Sequence, residues 1–392
     1  MTFQLVLALA ALIIWVRLIA FQGGYWRERN RDHLVMPDRP MNWPDVVAVV
    51  PARNEADVIA TSIGGLIAQN YPGTFTIILV DDQSTDGTAD IARQVASNAP
   101  DRLHIINGTA LPAGWVGKMW AVYQGVMAAE EIAPDARYVL LTDADIGHET
   151  ENLTRLVLRA ETGQLGMASQ MVRLKTDTWA EKFLIPAFVY FFAMLYPFAW
   201  VNDKTRAMAA AAGGSMLVRR STLKAAGGIE AIRDALIDDC ALAAKIKAAP
   251  AAETGIDLSL TGRAHSLRSY GGFMGVGAMI ARSAFTQLNY SWVLLIGTIF
   301  GMALTFLAPL FLSLSGGLAS LPALSSFGLM ILSFGPILEV YELSALYALA
   351  LPIIAVCYSG FTLKSAIDHA AGRGGLWKGR VQAGAVKSDD PA

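Results

Sequence analysis

FTIILVDDQSTDGTADIARQVASN, residues 75–98, holds a strand, a tight turn and a helix in one stretch. FTIILVDD (75–82) is apolar up to two aspartates and reads as a buried strand. Ser84 and Asp86 suit a turn, Gly87 suits a positive φ, and Thr88 or Asp86 suits the cap of the helix TADIARQVASN (88–98). The same unit recurs on both sides. VVAVVP (46–51) is a strand followed by the helix DVIATSIGGLIAQN (57–70). LHIIN (103–107) is followed by GKMWAVYQGVMAAEE (117–131), and YVLLTD (138–143) ends the series. The order βαβαβαβ predicts a mostly parallel sheet with right-handed crossovers, whose ligands bind at the carboxyl ends of the strands. Asp81, Asp82, Asp143 and Asp145 all fall there.

The rest of the chain is more apolar than a soluble domain needs. Of 392 residues, 54% are hydrophobic and 16% charged, against about 25% charged in ordinary soluble proteins. Mean hydropathy is +0.41, so part of the chain is expected in lipid. The net charge of −2 gives no basic excess, which argues against nucleic acid as a partner. Cys240 and Cys357 are far apart and read as packed thiols, not as a disulfide framework or zinc site.

Residues 3–21 are just long enough to cross a bilayer. Arg17, Arg27, Arg29 and Arg31 interrupt or follow the apolar run instead of preceding it. That favours an uncleaved anchor over residues 1–22, its basic end in the cytoplasm, over a cleaved signal peptide. A cytoplasmic linker (23–43) and the α/β domain (44–290) follow. Inside that domain, FLIPAFVYFFAMLYPFAWV (183–201), interrupted by Pro186 and Pro197, reads as a membrane-interface segment in preference to a core helix. Membrane helices are expected over 291–363, as 292–314, 318–338 and 343–363, before a basic, Gly-rich cytoplasmic tail (364–392). If all three cross, the tail with Lys364, Arg373, Lys378 and Arg380 ends on the wrong face for the positive-inside rule. The stretch 318–338, with Pro322 and Pro336, is the expected re-entrant or interfacial one.

Four chemical elements then arrive in order. In TDAD (142–145), Asp143 and Asp145 follow a strand and can hold a hard divalent cation, although an isolated DxD is usually only an acidic turn. VDDQSTDGTAD (80–90) supplies Asp82. VVPARNEADVI (49–59) crowds Arg53, Asn54 and Glu55 onto the same edge. GWVGKMWA (114–121) puts Lys118 in the first turn of a helix, near amides that favour anions.

Together these elements resemble the nucleotide-sugar half of a family 2 inverting glycosyltransferase of the GT-A fold. GGSMLVRRSTLKAAGG (213–228) is similar to the family's acceptor-side segment, and ALIDDCALAAKI (235–246) to its ED-containing motif, with Asp238 in place of Glu. The family's QxxRW signature is absent. MIARSAFTQLNYS (279–291) stands in its place, with Arg282 as the candidate substitute. That departure disfavours a processive polysaccharide synthase. The whole chain resembles the hopanoid-associated glycosyltransferases, on PARNEADVI, DDQSTDGTAD, ARSAFTQLNYS and SAIDHAAGRGGLWKGR.

The resemblance implies an α/β, GT-A domain between an N-terminal anchor and a C-terminal bundle. It implies a nucleotide-diphosphate sugar as donor, a UDP-sugar first, with Mn²⁺ or Mg²⁺. Asp82 would bind the base in a pocket lined by Pro51, Arg53 and Glu55. Asp143 and Asp145 would hold metal and ribose, and Lys118 and Arg282 would stabilise the leaving diphosphate. Asp239, with Asp238 beside it, would be the base that deprotonates the acceptor. The acceptor would be a lipid hydroxyl, a hopanoid or another lipid, at a multi-pass inner membrane protein whose catalytic domain faces the cytoplasm. Ceramide- or sterol-type and polyprenyl-phosphate glycosyltransferases are the alternatives. A non-catalytic scaffold would be expected to lose one of Asp82, Asp143, Asp145 or Asp239, all of which are present. A nucleotidyltransferase would carry a Gly-rich basic loop where this chain has PARNEADV.

Overall fold

The computed structural model describes residues 2–29, 32 and 42–373, and the backbone of 376–377 and 380–381. Arg31, Lys378 and most of the linker lie outside the described residues. The chain divides into two compact units. One comprises Asn30–Leu174 and Val201–Arg268; the other comprises Met1–Arg29, Lys175–Trp200 and Ser269–Gly374. Residues 175–200 and 269–290, read from sequence as part of the α/β domain, therefore group with the apolar helices.

The first unit is built on eight strands: β1 (Val46–Ala52), β2 (Phe75–Asp81), β3 (Leu103–Asn107), β4 (Tyr138–Thr142), β5 (Ile146–His148), β6 (Leu165–Arg173), β7 (Ser215–Arg219) and β8 (Gly255–Ser266). They form one sheet in the order β3-β2-β1-β4-β7-β6-β8-β5. The first four are parallel, in the register Val46↔Phe75 and Val46↔Tyr138. Every residue of β1 and β4 is buried, as expected of central strands covered on both faces. The helix Gly117–Ile132 lies close against them at Gly125, where a Cβ would come within 2.4 Å of Val49 and 2.9 Å of Val80. Beyond β4 the sheet is mixed: β7 is antiparallel to β4 and β6, β8 is parallel to β6, and β5 is antiparallel to β8.

The second unit is helical. Among the described residues, four helices are long and apolar enough to cross a membrane: Phe3–Phe21, Trp292–Ser313, Ser320–Val340 and Ala345–Ala370. The stretch 318–338, expected to be re-entrant or interfacial, falls on one continuous helix, Ser320–Val340, with Pro336 inside it. The Trp15 indole N–H donates to the Thr305 carbonyl at 2.8 Å. This bond lies within the π-turn Ala303–Leu307, where the backbone ladder is loosened. The helix Trp179–Leu195, which overlaps the stretch 183–201 expected at the membrane interface, is largely buried in this unit: Tyr190 packs on Phe334, and Phe191 on Phe306 and Tyr358. The fully buried Glu181 caps that helix, accepting from the Asp177 and Thr178 amides, and also from the Tyr270 amide and the Ser269 hydroxyl.

Candidate active site

Pro51 opens the site. The Ala52 carbonyl accepts the Asp82 N–H at 2.8 Å, on the β2 side, so by alternation Pro51 faces β4, where it has no N–H to give. The β1–β4 ladder accordingly ends two residues earlier, at Val49↔Leu141. A crevice forms between the carboxyl ends of β1 and β4. This is the point where strand order reverses, with β2 and β3 on one side of β1 and β4 on the other. Pro51, Lys118, Asp143, Gly213 and Asp238 line a hollow there.

On the β2 side, two loops clasp each other. The amides of Asn54, Glu55 and Ala56 donate to Ser84 Oγ (3.0 Å), Thr88 Oγ1 (2.9 Å) and Asp86 Oδ2 (3.0 Å). Thr85 N–H returns a bond to Asn54 Oδ1 at 2.9 Å. Asn54 adopts a positive φ of 51°, a conformation Asn tolerates better than most residues. Burial works to raise the Asp86 carboxyl, but the hydrogen bonds from Thr88 and Ala56 win and hold it below its ordinary range. Within this clasp Asp82 is fully buried. Arg53 Nη1 donates to its carbonyl at 2.5 Å and stands 3.7 Å from its Oδ2. A Cβ at Gly108 would stand 3.3 Å from Asp82 Oδ1, so the loop after β3 passes close over Asp82 because position 108 has no side chain.

On the β4 side, Lys118 Nζ lies 2.9 Å from Asp143 Oδ1 and 3.1 Å from Asp238 Oδ2. Burial would lower the pKa of this ammonium, but the two carboxylates overturn that and raise it. Burial raises Asp143, Lys118 pulls it down, and Asp145 and Asp238 push it up again, for a net rise. The Asp239 carboxylate is oriented by backbone donors, Gly213 N–H at 2.9 Å and Cys240 N–H at 2.7 Å. Burial, and then the neighbouring Asp238, push it up to about 6. A Cβ at Gly213 would stand 3.5 Å from Asp239 Oδ2 and 3.6 Å from Lys118 Nζ, so the base candidate and the lysine border the same gap.

A buried relay fixes the tip of β4. The Thr142 hydroxyl donates to the Gly214 carbonyl at 2.8 Å, so it accepts from His148 Nε2 at 2.9 Å. That assigns the proton to Nε2 and leaves Nδ1 to accept from Asn152 Nδ2 at 3.0 Å. Burial, then His265, press the His148 pKa down to about 4, so the ring is neutral.

Sequence reasoning missed Arg268, just past β8. Its Nε donates to Asp145 Oδ2 at 3.0 Å, and its other arm pairs with the Glu55 carboxylate. It thereby links the loop after β1, at Glu55, to the TDAD turn. The only sequence signal was a lone arginine after a strand. Arg282 lies in the helix Phe273–Ala284, which belongs to the other unit.

Among the described residues, no three acidic, His or Cys side chains gather into a metal cluster. Asp143 and Asp145 nevertheless fit a divalent cation of the Mg²⁺ or Mn²⁺ type. Such ions bind through one or two carboxylates, with phosphate oxygens and water completing the shell. The repulsion from Asp145 that helps raise Asp143 is what a cation would relieve.

Residues 47–227 match glycosyl transferase family 2. The match takes in 181 of the 392 residues, a little under half of the chain. The matched segment spans β1 to β7 and holds the site residues Pro51, Arg53, Glu55, Asp82, Lys118, Asp143, Asp145 and Gly213, while Asp238, Asp239, Cys240 and Arg268 lie beyond it. The 4,4'-diaponeurosporenoate glycosyltransferase of Staphylococcus aureus is 34% identical over 101 residues. That match covers 26% of this chain and 25% of the relative, so the chain matches about a quarter of that protein's length. A mannosyltransferase from Pyrobaculum calidifontis, solved in complex with GDP-Man and Mn²⁺, superimposes with a TM-score of 0.53 at 18% identity. It covers 93% of this chain and 98% of its own, and at that identity the likeness speaks for the GT-A-like fold alone.

Proposed function

We propose that the chain is a membrane-bound inverting glycosyltransferase that moves a sugar from a nucleotide-diphosphate sugar, a UDP-sugar first, to a lipid hydroxyl. The observation that carries this reading is the crevice between β1 and β4. It holds a lysine between two carboxylates with a backbone-oriented aspartate beside it, and on the other side of β1 the buried Asp82 follows β2.

In this reading Asp82 and Arg53 bind the nucleobase end and Glu55 holds Arg268 across the pocket. Lys118 lies where negative charge builds on the leaving diphosphate. Asp143 and Asp145 hold a divalent cation, which supplies Lewis-acid neutralisation of the diphosphate. The acceptor oxygen attacks the sugar's anomeric carbon, the bond from that carbon to the diphosphate oxygen breaks, and Asp239 takes the hydroxyl proton. Gly213 and Cys240 amides hold the Asp239 carboxylate for that transfer. The raised pKa matches it to the task while leaving it mostly ionised at neutral pH.

The four apolar helices support a multi-pass membrane protein, here with the catalytic residues on the cytoplasmic side. The Staphylococcus relative, named for a carotenoid substrate, supports an apolar acceptor. The hopanoid assignment rests on the overall sequence likeness. Purified membranes offered UDP-glucose, UDP-galactose, UDP-N-acetylglucosamine or GDP-mannose, with Mn²⁺ or Mg²⁺ and a lipid extract, test the reading. It expects metal-dependent release of nucleotide diphosphate with a labelled lipid. Folded protein that binds none of the donors would overturn it.

A further inference from the structure

The end of β8 is built against the TDAD turn. β5 pairs antiparallel with β8 in the register Ile146↔Ser266, and one residue further along the Leu267 N–H donates to the Asp145 carbonyl at 2.8 Å. A Cβ at Gly147 would come within 2.7 Å of His265 Nε2, so the turn lies this close to β8 because position 147 has no side chain. Arg268 comes next in the chain and is thereby placed beside the Asp145 side chain.

Its guanidinium is shared by two carboxylates. Nε donates to Asp145 Oδ2 at 3.0 Å, and Nη2 pairs with Glu55 Oε2. Glu55 is buried, and its backbone is fixed by the bond from its N–H to Thr88 Oγ1. Burial works against the charge of Arg268, but the Asp145 hydrogen bond and the charges of Glu55, Asp145 and Asp57 outweigh it and raise the pKa, so the guanidinium stays ionised. Lys118 does the same for Asp143, whose Oδ1 it holds at 2.9 Å. Each aspartate of the TDAD turn thus gives one oxygen to a cation of the chain and keeps the other for a metal. An ion held through only one or two carboxylates depends on phosphate oxygens and water for the rest of its shell. Glu55 would be a third carboxylate beside Asp143 and Asp145, and the guanidinium stands between it and Asp145.

We infer that Arg268 is a positioning residue for the cation site: it keeps the Glu55 carboxylate out of the ion's shell and holds down the protein's own affinity for the ion, so that retention of the ion depends on the nucleotide diphosphate. The inference rests on the reading of Asp143 and Asp145 as metal ligands. A unit positive charge about 6 Å from a divalent ion weakens its binding about tenfold even at the dielectric of bulk water, and the withheld carboxylate adds to that.

Mn²⁺ binding to the full-length protein in detergent tests this, followed by the electron paramagnetic resonance signal of free Mn²⁺, a readout independent of sugar transfer. Without nucleotide, Arg268→Gln should bind Mn²⁺ at least about tenfold more tightly than wild type. Arg268→Lys keeps the charge but cannot fork across both carboxylates, so it should gain less, in the same direction; it carries the test if the Gln variant does not fold. The double variant Arg268→Gln, Glu55→Gln should lose part of the gain. UDP should tighten Mn²⁺ binding by a larger factor in wild type than in Arg268→Gln. Unchanged or weaker Mn²⁺ binding by the folded Arg268 variants, while Asp145→Asn loses the binding that wild type has, overturns this inference and leaves the metal reading standing. A gain kept in full by the double variant overturns the role given to Glu55. No Mn²⁺ binding by wild type or Arg268→Gln, with or without UDP, overturns the metal reading and this inference together.

Discussion

Replacing Lys118 by Met keeps the length of the side chain and removes its charge. Lys118 Nζ is 2.9 Å from Asp143 and 3.1 Å from Asp238, so the bonded oxygens of those carboxylates are at most 6.0 Å apart (2.9 plus 3.1). With an effective dielectric near 20, two like charges at that distance repel by about 3 kcal/mol once the ammonium is gone. Breaking one side of such a partly buried network costs a similar amount. The Asp143 carboxyl is already raised by burial and by its acidic neighbours, and losing Lys118 raises it further, so the variant binds a proton there more tightly folded than unfolded. Stability lost to Lys118→Met should therefore be smaller in acid, where Asp143 takes up a proton, than at pH 8. Denaturation midpoints of the purified protein in detergent at both pH values measure this. A Lys118→Met, Asp238→Asn double variant should recover a large part of the loss at pH 8, since it removes the repulsion as well, yet it should not recover sugar transfer. An equal loss at both pH values, with no recovery in the double variant, would refute the claim that Lys118 serves both carboxylates.

Three further outcomes are expected. The kcat/KM of sugar transfer should fall roughly tenfold per pH unit below about 6, where the free enzyme's Asp239 is protonated, and Asp239→Asn should abolish that limb. His148 is held neutral with its pKa pressed to about 4, while the unfolded chain takes up a proton near 6.5. Stability from this residue is thus complete above about pH 6.5 and falls by about 3 kcal/mol as pH drops to 4; denaturant midpoints of wild type and His148→Gln across that range should show the difference. Gly125→Val should cost at least about 1–3 kcal/mol by overpacking against Val49 and Val80, read as a lower denaturation midpoint, whereas Gly297→Val, where a Cβ meets nothing within 4 Å, should cost little.

The parallel half of the sheet was legible because its signal is local. VVAVVP, FTIILVDD, LHIIN and YVLLTD each end in turn residues, and their strands fall within a residue or two of where the apolar runs place them. The mixed half was harder. β6 (LGMASQMVR) buries Ser169 and Gln170, so its sequence looks half polar although nearly all of it is inside. β8 did carry a period of two, Ile256, Leu258 and Leu260 alternating with Asp257, Ser259 and Thr261, and that was a usable sign. The clasp between the 54–56 and 84–88 loops was foreshadowed by turn chemistry, but its partners lie some thirty residues apart and only the fold joins them. Arg268 had no motif, since its meaning lies in Glu55 and Asp145, distant in sequence. Hydropathy counted apolar helices, but how they pack on one another came from particular contacts such as Trp15 with Thr305 and His369 with Tyr290.

The most direct test of the central claim is a single-turnover measurement of sugar transfer by wild type and Asp239→Asn, with donor binding determined in the same samples. The account predicts that the variant binds the nucleotide sugar as wild type does but transfers the sugar at least about 10²-fold more slowly, as loss of a general base requires. Transfer at the wild-type rate by Asp239→Asn would contradict the assignment of the base and, with it, the mechanism built on the crevice between β1 and β4.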